Sequence, residues 1–167
     1  MNHQIYMRQA LDLAQQALDA DEFPVGCIVV YDGQVIAQGR RINSAQPMAS
    51  EIDHAEMIVL RELEKKVDFG DRTRMTLYAT LEPCLMCFSA ILLSRLGTLV
   101  YAYEDAMGGA AHCDRSGWPA LYRDNRIGII PGICRRESLI LFKEFFGRAH
   151  LDYWRGSLLA QYTLTQS

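Results

Sequence analysis

The sequence has no long hydrophobic run. A transmembrane helix needs about 20 consecutive apolar residues, and no stretch of this chain approaches that length. The first residues also lack the basic and then apolar pattern of a secretory signal. We therefore expect a cytoplasmic protein that has no membrane partner.

Basic residues are fewer than acidic ones, 17 against 20, and the cysteines number five. The net charge is −3, so the composition as a whole does not indicate a nucleic-acid-binding protein, although a local basic patch would suffice for binding. Of the five cysteines, two belong to a metal motif described below. The odd remainder, Cys27, Cys113 and Cys134, predicts free thiols, because a chain without an export signal has little use for disulfides.

The chain also lacks internal repeats and low-complexity segments. Its 167 residues, of which 50% are hydrophobic, are typical of one globular domain with a real core. We therefore predict a single domain over residues 1–167.

Hydrophobic periodicity alternates between helix and strand. Apolar residues at helical spacing over residues 6–18 predict an opening amphipathic helix. Residues 25–31 are apolar on both faces, as inner strands are, and Asp32-Gly33 predicts a hairpin turn into a strand at 34–40. Further strands are predicted at 75–81, 98–103 and, at a sheet edge, 126–131. Helices are predicted to start at 54, to run from 84 to about Arg95, to span 137–146 and to lie around 151–159.

This order predicts an α/β fold. Strand–helix alternation after an opening hairpin indicates three α/β/α layers around a central, mixed, five-stranded sheet. Polar segments at 42–53 and 65–74 separate the elements, and residues 104–125 form a loop with at most a short helix. The helices that start at 54 and 84 begin near carboxyl ends of strands, where open α/β sheets place their sites.

Two short motifs carry the chemistry: His54-Ala55-Glu56 and Pro83-Cys84-Leu85-Met86-Cys87. Cys84 and Cys87 stand three residues apart, which places both side chains on one face of a helix. Pro83 suits a helix start, where the dipole favours the thiolate form that binds metal. Two thiolates and the His54 imidazole suit zinc, and three protein ligands leave one position of a tetrahedral ion open for catalysis.

Glu56 is the predicted proton carrier. On an ideal helix it faces away from His54, since two residues correspond to about 200° of rotation. The two converge only if His54 lies at the first turn and the metal lies off the helix end. Zinc lowers the pKa of a bound water molecule to about 7. A carboxylate beside that water takes a proton from it and passes the proton to a leaving group.

Each motif alone has another explanation. A lone CxxC could be a redox pair or half of a structural zinc site, and a lone His-x-Glu occurs by chance. A non-enzymatic domain with a structural zinc also stays open, and a fourth protein ligand would favour it. Both motifs in this order, each at a predicted helix start, favour a catalytic zinc.

The motifs resemble those of the cytidine/deoxycytidylate deaminase superfamily, and within it those of the bacterial tRNA adenosine deaminases. The resemblance extends from Pro24-Val25-Gly26 to Phe145-Phe146. It is densest over Thr80-Leu81-Glu82-Pro83-Cys84-Leu85-Met86-Cys87 and continues into Ser94-Arg95-Leu96-Gly97 and Asp105. It implies a cytidine-deaminase-like fold.

The resemblance also implies a reaction and its parts. These are hydrolytic deamination of a nucleobase, one Zn²⁺ per chain held by His54, Cys84 and Cys87, proton transfer by Glu56, and a homodimer. Adenosine in tRNA is the implied substrate. The alternative is a free nucleobase, nucleoside or nucleotide of the guanine, cytosine, adenine or deoxycytidylate type.

Substrate contacts are predicted at Asn43, Ala55 and Asp105. Asn43 stands at the same distance before His54 as a substrate-contacting Asn of the tRNA deaminases, and its amide offers both a donor and an acceptor. Asp105 matches a family position near the substrate's sugar, although an Asp in a loop also forms turns. Ala55 lies between the two residues of the first motif.

Several features depart from the tRNA enzymes. Those enzymes carry basic residues after the Phe-Phe pair, whereas Gly147-Arg148-Ala149-His150 follows it here. The loop after Gly39 is longer, and residues 112–122 are unusual. His112-Cys113 could bind a second metal, and Trp118 could stack on a base or be a half-buried loop residue. The candidate phosphate-binding groups are Arg135, Arg136, Lys143 and Arg148.

Overall fold

The computed structural model describes residues 2–45, 49–66 and 70–167. The middle parts of the two polar segments predicted at 42–53 and 65–74 lie outside these residues. The elements, in chain order, are α1 His3–Asp19, β1 Gly26–Tyr31, β2 Gln34–Arg40, α2 Ala55–Glu64, a 3₁₀ turn Arg72–Arg74, β3 Thr76–Leu81, α3 Leu85–Leu93, β4 Thr98–Tyr103, α4 Ala120–Arg123, β5 Gly128–Ile130, α5 Arg135–Gly147 and α6 Leu158–Thr165.

The five strands form one mixed sheet in the order β2-β1-β3-β4-β5. Strand β1 runs antiparallel to both neighbours, and β3, β4 and β5 run parallel to one another. Strand β2 therefore has the same direction as β3, and their carboxyl ends share one edge of the sheet. The α/β prediction with a mixed five-stranded sheet is confirmed, including β5 as an edge strand.

The β1–β2 hairpin sets this arrangement. Tyr31 pairs with Gln34, so Asp32 and Gly33 form the whole connection, with φ of 46° and 80°. Two consecutive residues with positive φ match the right-handed twist of a hairpin, and Asp-Gly tolerates them at low cost. The return strand β2 then ends beside the site.

The helices cover both faces of the sheet. Helices α1 and α5 contact each other and the sheet, whereas α2 contacts β1 and β2 and packs against α3. Helix α1 lies very close to β1, since a Cβ atom at Gly26 would stand 2.0 Å from the carbonyl oxygen of Ala10. Only glycine permits this approach. The apolar side of α1 is therefore buried in the core of this chain.

Two helix boundaries differ from the sequence prediction. Helix α3 ends at Leu93 instead of near Arg95, whose left-handed φ of 59° cannot continue a helix. The last helix begins only at Leu158, because Trp154 and Gly156 have φ of 55° and 73°. The Ser157 side chain caps that helix by accepting from the Ala160 N–H. Of the described residues, no helix is long and apolar enough to cross a membrane.

Candidate active site

Two helix N-termini meet at the carboxyl edge of the sheet. Helix α2 follows the loop after β2, and α3 follows β3 directly. His54 and Cys84 are the N-cap residues of these helices, with extended backbones. Since an N-cap residue lies just outside the helix, its side chain can turn toward the space off the helix end. The position of His54 agrees with the prediction that it lies at the start of its helix, with the metal off the helix end.

The three predicted ligands come together. Nδ1 of His54 lies 3.6 Å from Sγ of Cys84 and 3.4 Å from Sγ of Cys87, and the three ligand atoms all lie within 4.8 Å of one another. In a tetrahedral zinc site, bonds of about 2.0 Å to nitrogen and 2.3 Å to sulfur place these atoms roughly 3.5 Å apart. The donor set and its spacing therefore fit zinc.

The electrostatics of the pair of thiols also favour a cation. A hydrogen bond from Cys87, and a further one from His54, lower the pKa of Cys84 to about 4. The same shared proton and burial raise the pKa of Cys87. The Cys84 sulfur is therefore the thiolate of the pair. Binding of a metal cation releases the proton of the Cys87 thiol.

Among the described residues, no fourth protein ligand completes the group. Within the described ranges, His54, Cys84 and Cys87 are the one set of three or more metal-binding side chains. A structural zinc site closes its coordination shell with four protein ligands, whereas a catalytic site leaves a position open. The observed set corresponds to the open kind.

Glu56 lies beside the triad. It is the second residue of α2, its side chain is 3% exposed, and it lines the same cavity as His54 and Cys84. Burial raises the pKa of its carboxyl. A carboxyl whose pKa is raised toward neutrality suits a group that takes up and returns a proton.

A cavity of about 450 Å³ opens in front of the triad. This volume is in the range of small-molecule sites. Its walls are largely apolar and aromatic, formed by Phe23, Val25, Leu81, Tyr153, Trp154 and Leu159. Its charged side chains are one guanidinium, that of Arg41, and the carboxyl groups of Glu51, Glu56, Glu82 and Asp105. The cavity can therefore hold a flat heterocycle with its polar edge toward the triad.

Ala55 and Asp105 both line this cavity. Oδ1 of Asp105 accepts from the backbone N–H groups of Met107 and Gly108, at 2.9 and 3.0 Å, so it also forms the turn that was the alternative explanation. Buried Glu82, which the sequence analysis did not single out, accepts from the N–H groups of Asp105 and Ala111. Glu82 thereby ties the loop that carries Asp105 to the metal motif.

Asn43 lies outside the cavity. Its side chain is exposed, its Nδ2 donates to Oδ2 of Asp53 at 2.9 Å, and its backbone N–H donates to Glu22. Two residues earlier, Arg41 is 2% exposed and does line the cavity. Substrate contact by Asn43 stays a prediction. No sequence signal marked Arg41, because an arginine at a strand end is usually a surface residue.

The other open motifs lie elsewhere. Nε2 of His112 lies 3.0 Å from the hydroxyl of Tyr101, and His112 and Cys113 belong to no metal-binding group of the described residues. Trp118 packs edge-on against Phe88 with ring centroids 6.4 Å apart, as a half-buried loop residue. It does not line the cavity.

Three of the four candidate phosphate-binding cations are engaged within the chain. Arg135 pairs with Glu104, Lys143 donates to the Gln166 carbonyl, and Arg148 pairs with Asp21 and Glu144 at 2.7 Å each. Arg136 is exposed. The basic groups near the Phe-Phe pair therefore serve mainly the internal packing of α5.

Comparison with known proteins agrees with this geometry. Residues 1–103, which include the whole triad, match the model described as the cytidine and deoxycytidylate deaminase zinc-binding region. The chain belongs to the cytidine and deoxycytidylate deaminase family. It is a zinc-dependent hydrolase of the deaminase type, and its His-Cys-Cys zinc-site triad is present.

Curated relatives in this family include tRNA enzymes. The chain is 35% identical over 143 residues to the tRNA-specific adenosine deaminase of Bacillus subtilis, a match that covers 86% of this chain and 88% of the relative. It is 43% identical over 107 residues to the chloroplastic tRNA(adenine(34)) deaminase of Arabidopsis thaliana, covering 64% of this chain but only 8% of that much longer protein.

Solved structures of the family share the fold. A tRNA:A34 deaminase superimposes with a TM-score of 0.69 at 32% identity, covering 81% of this chain and 96% of that one. The guanine deaminase of Nitrosomonas europaea gives a TM-score of 0.65 at 26% identity, covering 83% and 81% of the two chains. Polynucleotide and free-base deaminases are thus similarly close in shape.

Proposed function

We propose that this chain converts adenosine to inosine in tRNA by zinc-dependent hydrolysis. The observation that carries the proposal is the combination of the open His54, Cys84 and Cys87 triad with near full-length similarity to tRNA-specific adenosine deaminases. In the overall reaction, one water molecule replaces the amino group on a ring carbon by a carbonyl oxygen, and ammonia is released.

His54, Cys84 and Cys87 hold one zinc per chain. When bound, the zinc acts as a Lewis acid and lowers the pKa of water to about 7. Glu56 accepts a proton from the attacking water and delivers it to the ring nitrogen next to the amino-bearing carbon. It then takes the remaining proton from the hydroxyl group that has added to the ring carbon and passes it to the departing amine, which leaves as ammonia. Its burial and raised pKa match this shuttle.

Substrate placement follows from the cavity. The aromatic and aliphatic walls exclude water and hold the ring in a slot. Ala55 lines the cavity at the start of α2 and is assigned to the ring, and Asp105, held by its turn and by Glu82, is assigned to the sugar because it matches that position of the family. These contacts orient the amino-bearing carbon toward the triad.

Glu56→Gln tests the mechanism. Glutamine keeps the shape of the side chain but cannot carry the proton, so turnover is expected to fall by about 10³-fold or more, with one zinc retained per chain. Glu62→Gln, on the same helix but outside the cavity, is the matched control and should keep wild-type activity. Ammonia release and inosine formation in tRNA are measured together with zinc content. Near-normal turnover of Glu56→Gln would falsify the assigned role.

A free nucleobase, nucleoside or nucleotide is the second candidate. It is favoured by the engagement of Arg135, Lys143 and Arg148 in internal contacts and by the likeness to a guanine deaminase. The same assay run on free bases, nucleosides and nucleotides separates the two candidates. Efficient ammonia release from a free compound, with no inosine formed in tRNA, establishes the second.

We also propose a homodimer built on α3. The apolar side of α1 is buried in the core, but Leu85 and Leu93 of α3 are 55% and 56% exposed, and two copies of such a face can cover each other. Leu93→Glu should shift sedimentation equilibrium from dimer to monomer. Leu164→Glu, an equally exposed leucine of α6, is the control and should stay dimeric. A monomeric wild type at micromolar concentration contradicts the proposal.

A further inference from the structure

Arg41 is an unusual residue of the active-site cavity. It follows the last residue of β2 and its side chain is 2% exposed, yet it lines the cavity together with His54 and Glu56. Among the described residues it is the one arginine or lysine that does so. Nothing in the proposed proton transfer uses it.

The guanidinium of Arg41 has hydrogen-bond partners at one of its nitrogens but not at the other two, within the described residues. Its Nη2 donates to the Ser50 carbonyl and, at 3.1 Å, to the hydroxyl of Tyr153, and its central carbon lies 5.6 Å from the Tyr153 ring centroid. Nε and Nη1 are buried and have no acceptor among the residues that the structure describes. The side chain is therefore anchored on one side and leaves two nitrogens unused, although buried N–H groups are nearly always paired.

Arg41 also has no directly paired carboxylate among the described residues. A guanidinium stays protonated in proteins, and a buried charge without a counter-ion costs free energy. Of the described carboxylates, none forms an ion pair with Arg41. Glu51 is linked to it only through Tyr153, whose hydroxyl donates to Glu51 at 3.0 Å. The carboxylates of Glu82 and Asp105 already accept from backbone N–H groups.

We propose that Arg41 binds a phosphate group of the substrate nucleotide. A phosphate supplies both what the guanidinium lacks, namely acceptor oxygens and negative charge, and arginine is well suited to phosphate. A neutral acceptor on the base would pair the N–H groups but leave the charge. The phosphate belongs either to a free nucleotide or to the backbone of RNA, and the inference rests on the proposed function.

Binding experiments separate this inference from catalysis. In the zinc-loaded Glu56→Gln protein, which binds without turnover, calorimetry compares adenosine, adenosine 5′-monophosphate and an anticodon stem-loop RNA. Arg41→Gln is expected to weaken a phosphate-bearing ligand about 30-fold, as for a hydrogen bond to a charged group, and adenosine less than about threefold. Arg41→Lys, which keeps the charge, should recover part of the loss.

Arg40→Gln is the matched control. Arg40 is the neighbouring residue with the same charge and does not line the cavity, so its replacement should change each affinity less than about twofold. Tighter binding of the monophosphate than of adenosine, lost in Arg41→Gln, identifies a free nucleotide. No gain from the monophosphate, with the RNA weakened about 30-fold, identifies a backbone phosphate.

Two results overturn the inference: unchanged affinity of Arg41→Gln for both phosphate-bearing ligands, or equal weakening of these and of adenosine. If Arg41→Gln does not fold, thermal shifts of the Arg41-containing protein provide the test, since a ligand that binds the folded state raises Tm. Equal shifts with adenosine, the monophosphate and the stem-loop then refute it. Phosphate-dependent binding without any ammonia release by the Glu56-containing enzyme overturns the proposed function instead.

Discussion

The two walls of the cavity differ in how the chain builds them. The metal wall comes from two N-caps and the first turns of α2 and α3, and its ligands His54 and Cys84 stand 30 positions apart. The opposite wall joins Arg41 to Tyr153 across 112 positions. One wall is a pair of local motifs on rigid elements, whereas the other is assembled from a loop and a turn.

The metal wall contains the groups proposed for the chemistry, and the opposite wall contains those that we expect to select the substrate. The metal wall has its donors at the spacing that zinc requires and a buried acid beside them, and these features are common to deamination of any base. The opposite wall contains a strained aromatic residue, Trp154, and an unsatisfied cation, Arg41. Loops positioned by a rigid scaffold are where such enzymes vary their substrates.

Breaking the metal wall should have the largest effect. In Cys87→Ala, zinc content is expected to fall from one per chain toward zero and activity to disappear, because two ligands hold the ion far more weakly than three. Elemental analysis and ammonia release measure both. Cys113→Ala, which removes an exposed thiol outside the triad, should change neither. Full zinc occupancy in Cys87→Ala contradicts the ligand assignment.

Basic groups outside both walls should have an intermediate effect that depends on their pairing. If tRNA is bound near α5, exposed Arg136→Ala should reduce the slope of log affinity against log salt by roughly 0.7–0.9. Arg148→Ala should leave that slope unchanged and instead lower the free energy of unfolding by about 1 kcal/mol, because Arg148 is committed to Asp21 and Glu144. The opposite pattern would show that Arg148 leaves its partners to bind RNA.

The smallest effect is expected at Asn43. Its amide is exposed and bonded to Asp53, so Asn43→Ala should change kcat/KM less than about threefold, within the range of one lost surface hydrogen bond. Gln38→Ala, another exposed amide on β2, serves as the control. A drop of tenfold or more at Asn43 alone indicates that the loop after β2 rearranges to bring the amide to the substrate.

Much of this molecule was predictable from local patterns. The Asp32-Gly33 hairpin, the strand–helix alternation and the mixed sheet follow from periodicity and turn chemistry, which act over a few residues. The last helix was placed too early, because the apolar spacing over residues 151–159 continued through Trp154 and Gly156, whose positive φ values interrupt it. Periodicity registers which residues are apolar, not which backbone conformations the packing imposes.

The proposed reaction centre is predictable from short motifs alone. His54, Glu56, Cys84 and Cys87 are brought together by short motifs at helix starts, and donor type and spacing there specify both the metal and its open position. The surroundings of the proposed substrate site are not predictable in this way. Whether Arg41 or Asn43 faces the cavity, and whether Arg148 is free or paired, depends on contacts between segments far apart in the chain. Such contacts are set by how the layers pack, and no local pattern encodes them.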